Sequence, residues 1–453
     1  MASKKVVLLA ISSSIAMVGI SYMKAALELE DAEQAYYSQW WRWGYDDQPP
    51  LYTWLQIIFN SIFGVSKLSF ALLRGLIFAG TLVMVYRFAL AFLKDGSKAV
   101  LVVLSLSLIP VFIDLTFRRL SHTSLLILVV MATYLIIQRI RYRRTVLNYM
   151  LLGLLIGMGV LTKYNYGLFL GGLFLLLFVD TAFRKTVFNS RILVTLILVV
   201  LLVLPHFYWL VHHGYLSEIN NSIAIKAGGA TVNKPLVIGP LLAFFVALIK
   251  LVSPLLVVVL ILKVWGRISL KLPFKGNWLL KLWVSQSLVL MLVFIFFKVQ
   301  IIETRWLLPL FIPFLVLLFG MITFKNMEKW ISFGFYTFLA ILSVQTLRTP
   351  VEKIFKIPSS VHYGFHEISN ILQQDFGKED WVLPNVTYGG NIRFLNPDRE
   401  VFSTDDFSLP KEKIDPLQSI FLVRQNHLPR KCTKVDSVQN FGKDKENLYL
   451  VRF

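Results

Sequence analysis

Residues 28–51 read ELEDAEQAYYSQWWRWGYDDQPPL, and six of the twelve acidic residues that precede residue 350 stand in this stretch: Glu28, Glu30, Asp31, Glu33, Asp46 and Asp47. Mostly apolar runs flank it, residues 6–26 before and 68–93 after, each long enough to cross a bilayer as a helix at roughly 20 residues per crossing. Carboxylates are costly beside hydrocarbon, whereas Trp and Tyr favour the membrane interface. A cluster of acids among Trp40, Trp41, Trp43 and Tyr45 is therefore expected to form a reactive or binding loop at one membrane face.

The rest of the chain agrees with a membrane setting. At 453 residues, 56% hydrophobic and only 16% charged, it cannot pack as an ordinary soluble domain, and a polytopic α-helical membrane protein is expected. The net charge of +20 invites a nucleic-acid reading, but residues 350–453 hold fourteen Lys/Arg against fourteen Asp/Glu. The whole excess thus lies among the apolar segments, where it reports membrane topology, and no nucleic-acid partner is expected. The single cysteine, Cys432, excludes an intramolecular disulfide and a cysteine-rich zinc site.

Placing basic loops in the cytoplasm threads eleven spans through the chain. Lys4 and Lys5 hold the N-terminus inside, and residues 6–26 cross outward as a retained first span, since no small-residue cleavage site is evident. Further spans are expected at about 68–93, 99–116, 121–138, 146–162, 165–181, 192–211, 236–262, 282–301, 305–324 and 330–348. The short pair 146–162 and 165–181 meets at Thr162 to Gly167, either as two crossings with Lys163 outside or as a shallow re-entrant pair. Residues 1–349 are thus expected to form the membrane domain of a multi-pass protein, with its first extracytoplasmic loop at 27–67. From residue 350 the pattern changes to an amphipathic helix around 362–376 and short β-rich runs, WVLPNV, SIFLVR and NLYLVRF, so 350–453 is expected to be a small extracytoplasmic α/β domain.

The first loop also carries a resemblance. Glu30-Asp31-Ala32, followed by Trp43-Gly44-Tyr45 and Pro49-Pro50, is similar to the Asp-Glu-Ala triplet and Trp-Gly-Tyr-x-x-x-Pro-Pro segment of GT-C type membrane glycosyltransferases. The group in question is related to the dolichyl-phosphate-mannose protein mannosyltransferases and the aminoarabinose transferase of lipid A. Gly159 to Tyr164, Pro205 to Ser217 and Glu303 to Pro309 resemble further elements of that group in the same order. The acidic pair is inverted here, and His122 stands where the group has a second carboxylate, with Asp114 a few residues earlier. The resemblance implies a sugar transferred, with inversion, from a polyprenyl-phosphate carrier to a lipid, glycan or protein acceptor on the extracytoplasmic face.

Such chemistry needs a base near the acceptor hydroxyl and cations where the phosphate leaving group gathers charge. A carboxylate partly withdrawn from water beside aromatic rings makes the better base, which points to Asp31 or Glu30. Arg118, Arg119, Lys163, Lys226 and Arg305 are the candidate cations on that face, and Tyr45 and Asp47 are candidate substrate contacts beside them. Snorkelling explains Lys163 equally well, and a turn before Pro-Pro favours Asp46 and Asp47 without any role in binding. No cofactor is required by these residues, although His122, His206, His212 and His213 with carboxylates could hold a divalent metal ion. A transporter or lipid flippase, and an inactive glycosyltransferase-like scaffold, are the alternative functions. Against the first, the charges crowd one face and no inverted repeat is visible.

Overall fold

The computed structural model describes residues 2–218, 238–271, 278–299, 301–357, 359–429, 431–441 and 446–452. In chain order the described helices are α1 (Ala2–Met23), α2 (Leu29–Tyr37), α3 (Leu51–Phe63), α4 (Lys67–Leu93), α5 (Gly96–Ser105), α6 (His122–Tyr142), α7 (Val146–Thr162), α8 (Tyr166–Val179), α9 (Thr181–Val187) and α10 (Ile192–His212). There follow α11 (Ile238–Val264), α12 (Trp278–Phe296), α13 (Thr304–Met321), α14 (Met327–Ile354), α15 (Phe365–Asp375) and α16 (Val386–Leu395). Helix falls on every one of the expected spans, but among the described residues only seven helices, or eight with the bent pair α8 and α9, are long and apolar enough to cross a membrane.

The shortfall from eleven spans has local causes. Expected span 99–116 is broken: α5 stops at Ser105, a 3-10 turn covers Leu106–Leu108, and a π-helical turn, Val111–Thr116, follows Pro110. Proline lacks a backbone donor and drives the residue before it out of the helical region, and Ile109 is extended at φ −103° and ψ 103°. At Asp180 the chain turns through 116° between α8 and α9. The Asp180 carboxylate caps α9 through the Phe183 N–H (2.8 Å) and pairs with Lys281 (3.1 Å). Helix α13 carries Pro309 and Pro313 inside it, each of which removes a backbone donor from the helix.

The chain divides into two compact units. The first comprises Met1–Ser13, Asp47–Pro49 and Leu76–Leu342. Its core is aromatic, with Phe78, Phe88, Phe112, Phe117, Tyr134 and Tyr166 fully buried. The buried hydroxyls are satisfied across helices: Tyr134 donates to Gln286 Oε1 (2.7 Å), and Tyr166 shares a hydrogen bond with Thr133 (3.0 Å). A two-stranded antiparallel ladder, β1 (Ile268–Leu270) with β2 (Ile322–Phe324), ties the segment after α11 to the segment after α13.

The second unit comprises Ser14–Asp46, Pro50–Gly75 and Ser343–Phe453, so the first loop and the C-terminal residues fold together. Its sheet holds β3 (Asp380–Leu383), β4 (Val401–Ser403), β5 (Ser419–Arg424), β6 (Thr433–Phe441) and β7 (Glu446–Arg452) in the order β4-β3-β5-β7-β6. Strand β3 pairs in parallel with β4 and β5, while β7 pairs antiparallel with β5 and β6. The sheet and α15 enclose Ile368, Leu372, Trp381, Ile420, Leu448 and Leu450. The run WVLPNV is strand only to Leu383, because Pro384 ends it and the Asn385 side chain caps α16 by accepting from Tyr388 N–H (3.0 Å).

Helix α2 lies on α16 at very short range. A Cβ at Gly390 would overlap the Ala32 carbonyl, so only glycine admits this approach, and Asn391 Oδ1 accepts from Leu27 N–H (2.8 Å) just before α2. Gly390→Ala is expected to force the helices apart and lower stability by about 1–3 kcal/mol, as overpacking does. A melting temperature equal to that of the wild type in the same detergent would contradict this packing.

Candidate functional site

The candidate residues fall into two groups, one in each unit. In the second unit α2 places Glu30 and Asp31 in its first turn, with Glu30 partly exposed and Asp31 buried. Asp31 forms an ion pair with Arg74, itself buried. The guanidinium compensates the charge of a carboxylate withdrawn from water, which would otherwise be costly to bury. Close by, burial pushes the Tyr52 phenol well above its ordinary value; the Arg74 charge opposes the rise, and Asp31 and Glu30 add to it. Glu28 is held by Lys24 at 3.1 Å, also in a buried setting.

The segment that leads to Pro49-Pro50 is fixed by the C-terminal residues. Arg42 bonds Asp406 (3.0 Å) and Ser408 (2.9 Å), and its guanidinium lies over the rings of Trp40 (4.8 Å) and Tyr45 (5.2 Å). Ser408 Oγ also accepts from Asp46 N–H (2.8 Å), Gln39 bonds both backbone groups of Val401, and Trp40 stacks on Phe402. Tyr45 is fully buried, its hydroxyl donating to the Trp40 carbonyl (2.6 Å) and accepting from Arg42 N–H (3.0 Å), so this ring shapes the loop. Trp41 and Trp43 are the exposed rings of the segment, at 62% and 46%.

Burial raises the Tyr36 and Tyr37 phenols well above their ordinary value, and raises that of Tyr45 to about 12. A raised phenol binds its proton more tightly folded than unfolded, so its stabilising contribution is complete below the ordinary value of 10.0 and is lost as pH rises through the folded value. Tyrosinate absorbance is therefore expected to rise together with unfolding of this unit at pH above about 10, and titration of these tyrosines at their ordinary value with the fold intact would contradict it.

In the first unit a second polar group forms around the turn between α7 and α8. Gly159 makes this turn possible, since a Cβ there would overlap the Tyr166 ring folded back against α7. Lys163 Nζ donates to Thr123 Oγ1 (2.9 Å), and His122 Nδ1, donating, is 3.2 Å from the Thr162 carbonyl. Tyr164 stacks over His206 with ring centroids 5.9 Å apart, and burial lifts its phenol above the ordinary value, helped by the charge of Asp47. The structure thus brings Lys163, His122 and His206 to one turn, with Asp47 close enough to act on Tyr164.

Arg118 is buried, Arg119 is exposed, and Arg305 pairs with Glu303 at the start of α13. Lys226 lies outside the described residues. Among the described residues no three His, Cys, Asp or Glu side chains converge as a metal site, and His212 and His213 are engaged with Tyr208 and Tyr215 by ring contacts. Sequence reasoning missed Arg74 and Asp406. Arg74 had a signal, a lone charge between Lys67 and Arg87 in an apolar helix, which demands a counter-charge.

Comparison with known proteins bears on the whole chain. Residues 47–209 match the dolichyl-phosphate-mannose-protein mannosyltransferase family. The lipopolysaccharide core galacturonosyltransferase RgtA of Rhizobium johnstonii is 24% identical over 392 residues, 84% of this chain and 78% of that protein. RgtB of the same organism, also a lipopolysaccharide core galacturonosyltransferase, is 29% identical over 185 residues, 41% of this chain and 37% of its own. The crystal structure of ArnT from Cupriavidus metallidurans bound to undecaprenyl phosphate superposes over 100% of this chain and 98% of its own with a TM-score of 0.63 at 13% identity. The apo form of that protein gives 0.55 at 12% over the same shares. The fold is the GT-C-like fold of these structures, the sequence relatives are glycosyltransferases, and the chain is accordingly a membrane glycosyltransferase.

Proposed function

We propose that this glycosyltransferase takes its sugar from a polyprenyl-phosphate carrier and delivers it to a lipid or glycan acceptor on the extracytoplasmic side of the inner membrane. The N-terminus is then cytoplasmic, and the domain formed by residues 350–453 is extracytoplasmic. The acceptor hydroxyl oxygen attacks the anomeric carbon, the bond from that carbon to the phosphate oxygen breaks, and the carrier leaves as polyprenyl phosphate with the electron pair. The proton of the hydroxyl passes to a carboxylate of the first loop.

The observation that carries this reading is the division of labour in the Glu30-Asp31 pair. Asp31 is buried and bound to Arg74, whereas Glu30, one residue earlier in the same turn, is partly exposed. A base must reach its substrate, which favours Glu30 in that role and Asp31 as the group that orients the turn. Lys163, Arg118, Arg119 and Arg305 take the charge of the phosphate in this reading. The RgtA and RgtB names make galacturonic acid the first donor sugar to test and a lipopolysaccharide core the first acceptor.

Binding of undecaprenyl phosphate to the purified protein in nanodiscs tests the proposed donor. Replacing Arg118, Arg119, Lys163 and Arg305 together is expected to weaken binding at least about tenfold, since one charge-assisted hydrogen bond contributes roughly 1.5–3 kcal/mol. Equal binding by wild type and variant would overturn the assignment of these cations.

A further inference from the structure

We infer that the first unit carries a binding site for one anionic phospholipid, at the end of α11 and the start of α14. Between these helices lies an apolar cavity of about 380 Å³, walled by Val258, Ile261, Trp265, Trp330 and Phe333, with Lys329 at its edge. Its size lies within the range of small-ligand cavities, and its lining suits an acyl chain.

Charge at the same end specifies the headgroup. Lys263, Arg267, Lys325 and Lys329 are all exposed, and among the described residues none of the four is ion-paired with a carboxylate. Arg267 and Lys325 come from different connecting segments, and the β1–β2 ladder holds them together: Lys325 N–H donates to the Arg267 carbonyl (3.0 Å), next to the Ile268–Phe324 pair of the register. Trp330 Nε1 donates to the Lys325 carbonyl (3.1 Å), which fixes a wall of the cavity to the same cationic segment. Cations gathered by a hydrogen-bonded ladder above an apolar cavity match the two parts of a lipid, an anionic headgroup and a chain. Inorganic phosphate would satisfy only the first part.

Native mass spectrometry of the full chain, released from mixed micelles of phosphatidylglycerol and phosphatidylcholine with identical chains, tests this. Retention of one phosphatidylglycerol in preference to phosphatidylcholine is expected, with the preference falling roughly fivefold for each of Arg267→Ala, Lys325→Ala and Lys329→Ala. Val258→Trp, which fills the cavity and leaves every cation in place, is expected to lose the bound lipid as well. Equal retention of both lipids by the wild type would overturn the proposal. So would retention by the cavity-filled variant, which would reduce the effect to diffuse surface charge. Inorganic phosphate bound by the wild type and by Val258→Trp alike, with no phosphatidylglycerol retained by either, would show an anion site without a chain seat and contradict a lipid site.

Discussion

Glu30→Gln is expected to slow sugar transfer by about 10²–10⁴-fold, the usual contribution of a positioned general base, while the affinity for the lipid carrier stays close to that of the wild type. Glutamine keeps the shape of the side chain and its capacity to accept a hydrogen bond, and removes only its ability to take the acceptor proton. Because Glu30 is partly exposed in the first turn of α2 and glutamine is its isostere, folding should be preserved. Single-turnover transfer, with carrier binding recorded in parallel, separates the two effects. A rate within about threefold of wild type would remove Glu30 from the chemistry, given the size of effect a general base produces.

Arg74→Met is expected to cost about 3–5 kcal/mol, because Asp31 would be left buried with its charge uncompensated. Replacing both partners, Asp31→Leu with Arg74→Met, should recover most of that loss, since a buried ion pair exchanged for apolar side chains is often near neutral in stability. The two substitutions are thus expected to be strongly non-additive in unfolding measurements. Transfer should stay impaired in the double variant even where the fold has recovered, because the pair holds the turn that presents Glu30. A single Arg74→Met variant as stable as the wild type would mean that Asp31 has another compensating partner. Full activity in the double variant would mean that the pair serves stability alone.

Much of this was legible in the amino-acid order. The apolar runs marked where helices lie, and the acidic cluster among Trp40, Trp41, Trp43 and Tyr45 marked the loop that carries Glu30 and Asp31. Helix lengths were less legible: Pro110 breaks one expected span and the bend at Asp180 shortens another, and hydrophobicity alone does not register such breaks. Helix α16 was missed because VTYGGNIRFL is rich in β-branched residues and glycine, which helices disfavour; its Asn385 cap and its packing on α2 override that preference. The bond between Arg42 and Asp406 joins residues 364 apart, and no local pattern announces a contact at that separation. The role of Arg74 was readable in principle, since a lone arginine in an apolar helix needs a carboxylate and the acidic loop precedes it.

The most direct test of Glu30 as the base is chemical rescue: transfer by Glu30→Ala in proteoliposomes, measured with and without added formate. If the missing carboxylate is the base, the variant should be nearly inactive and formate, but not chloride, should restore part of the rate by accepting the proton in its place. Near-wild-type transfer by Glu30→Ala without formate, or rescue confined to Asp31→Ala, would contradict it.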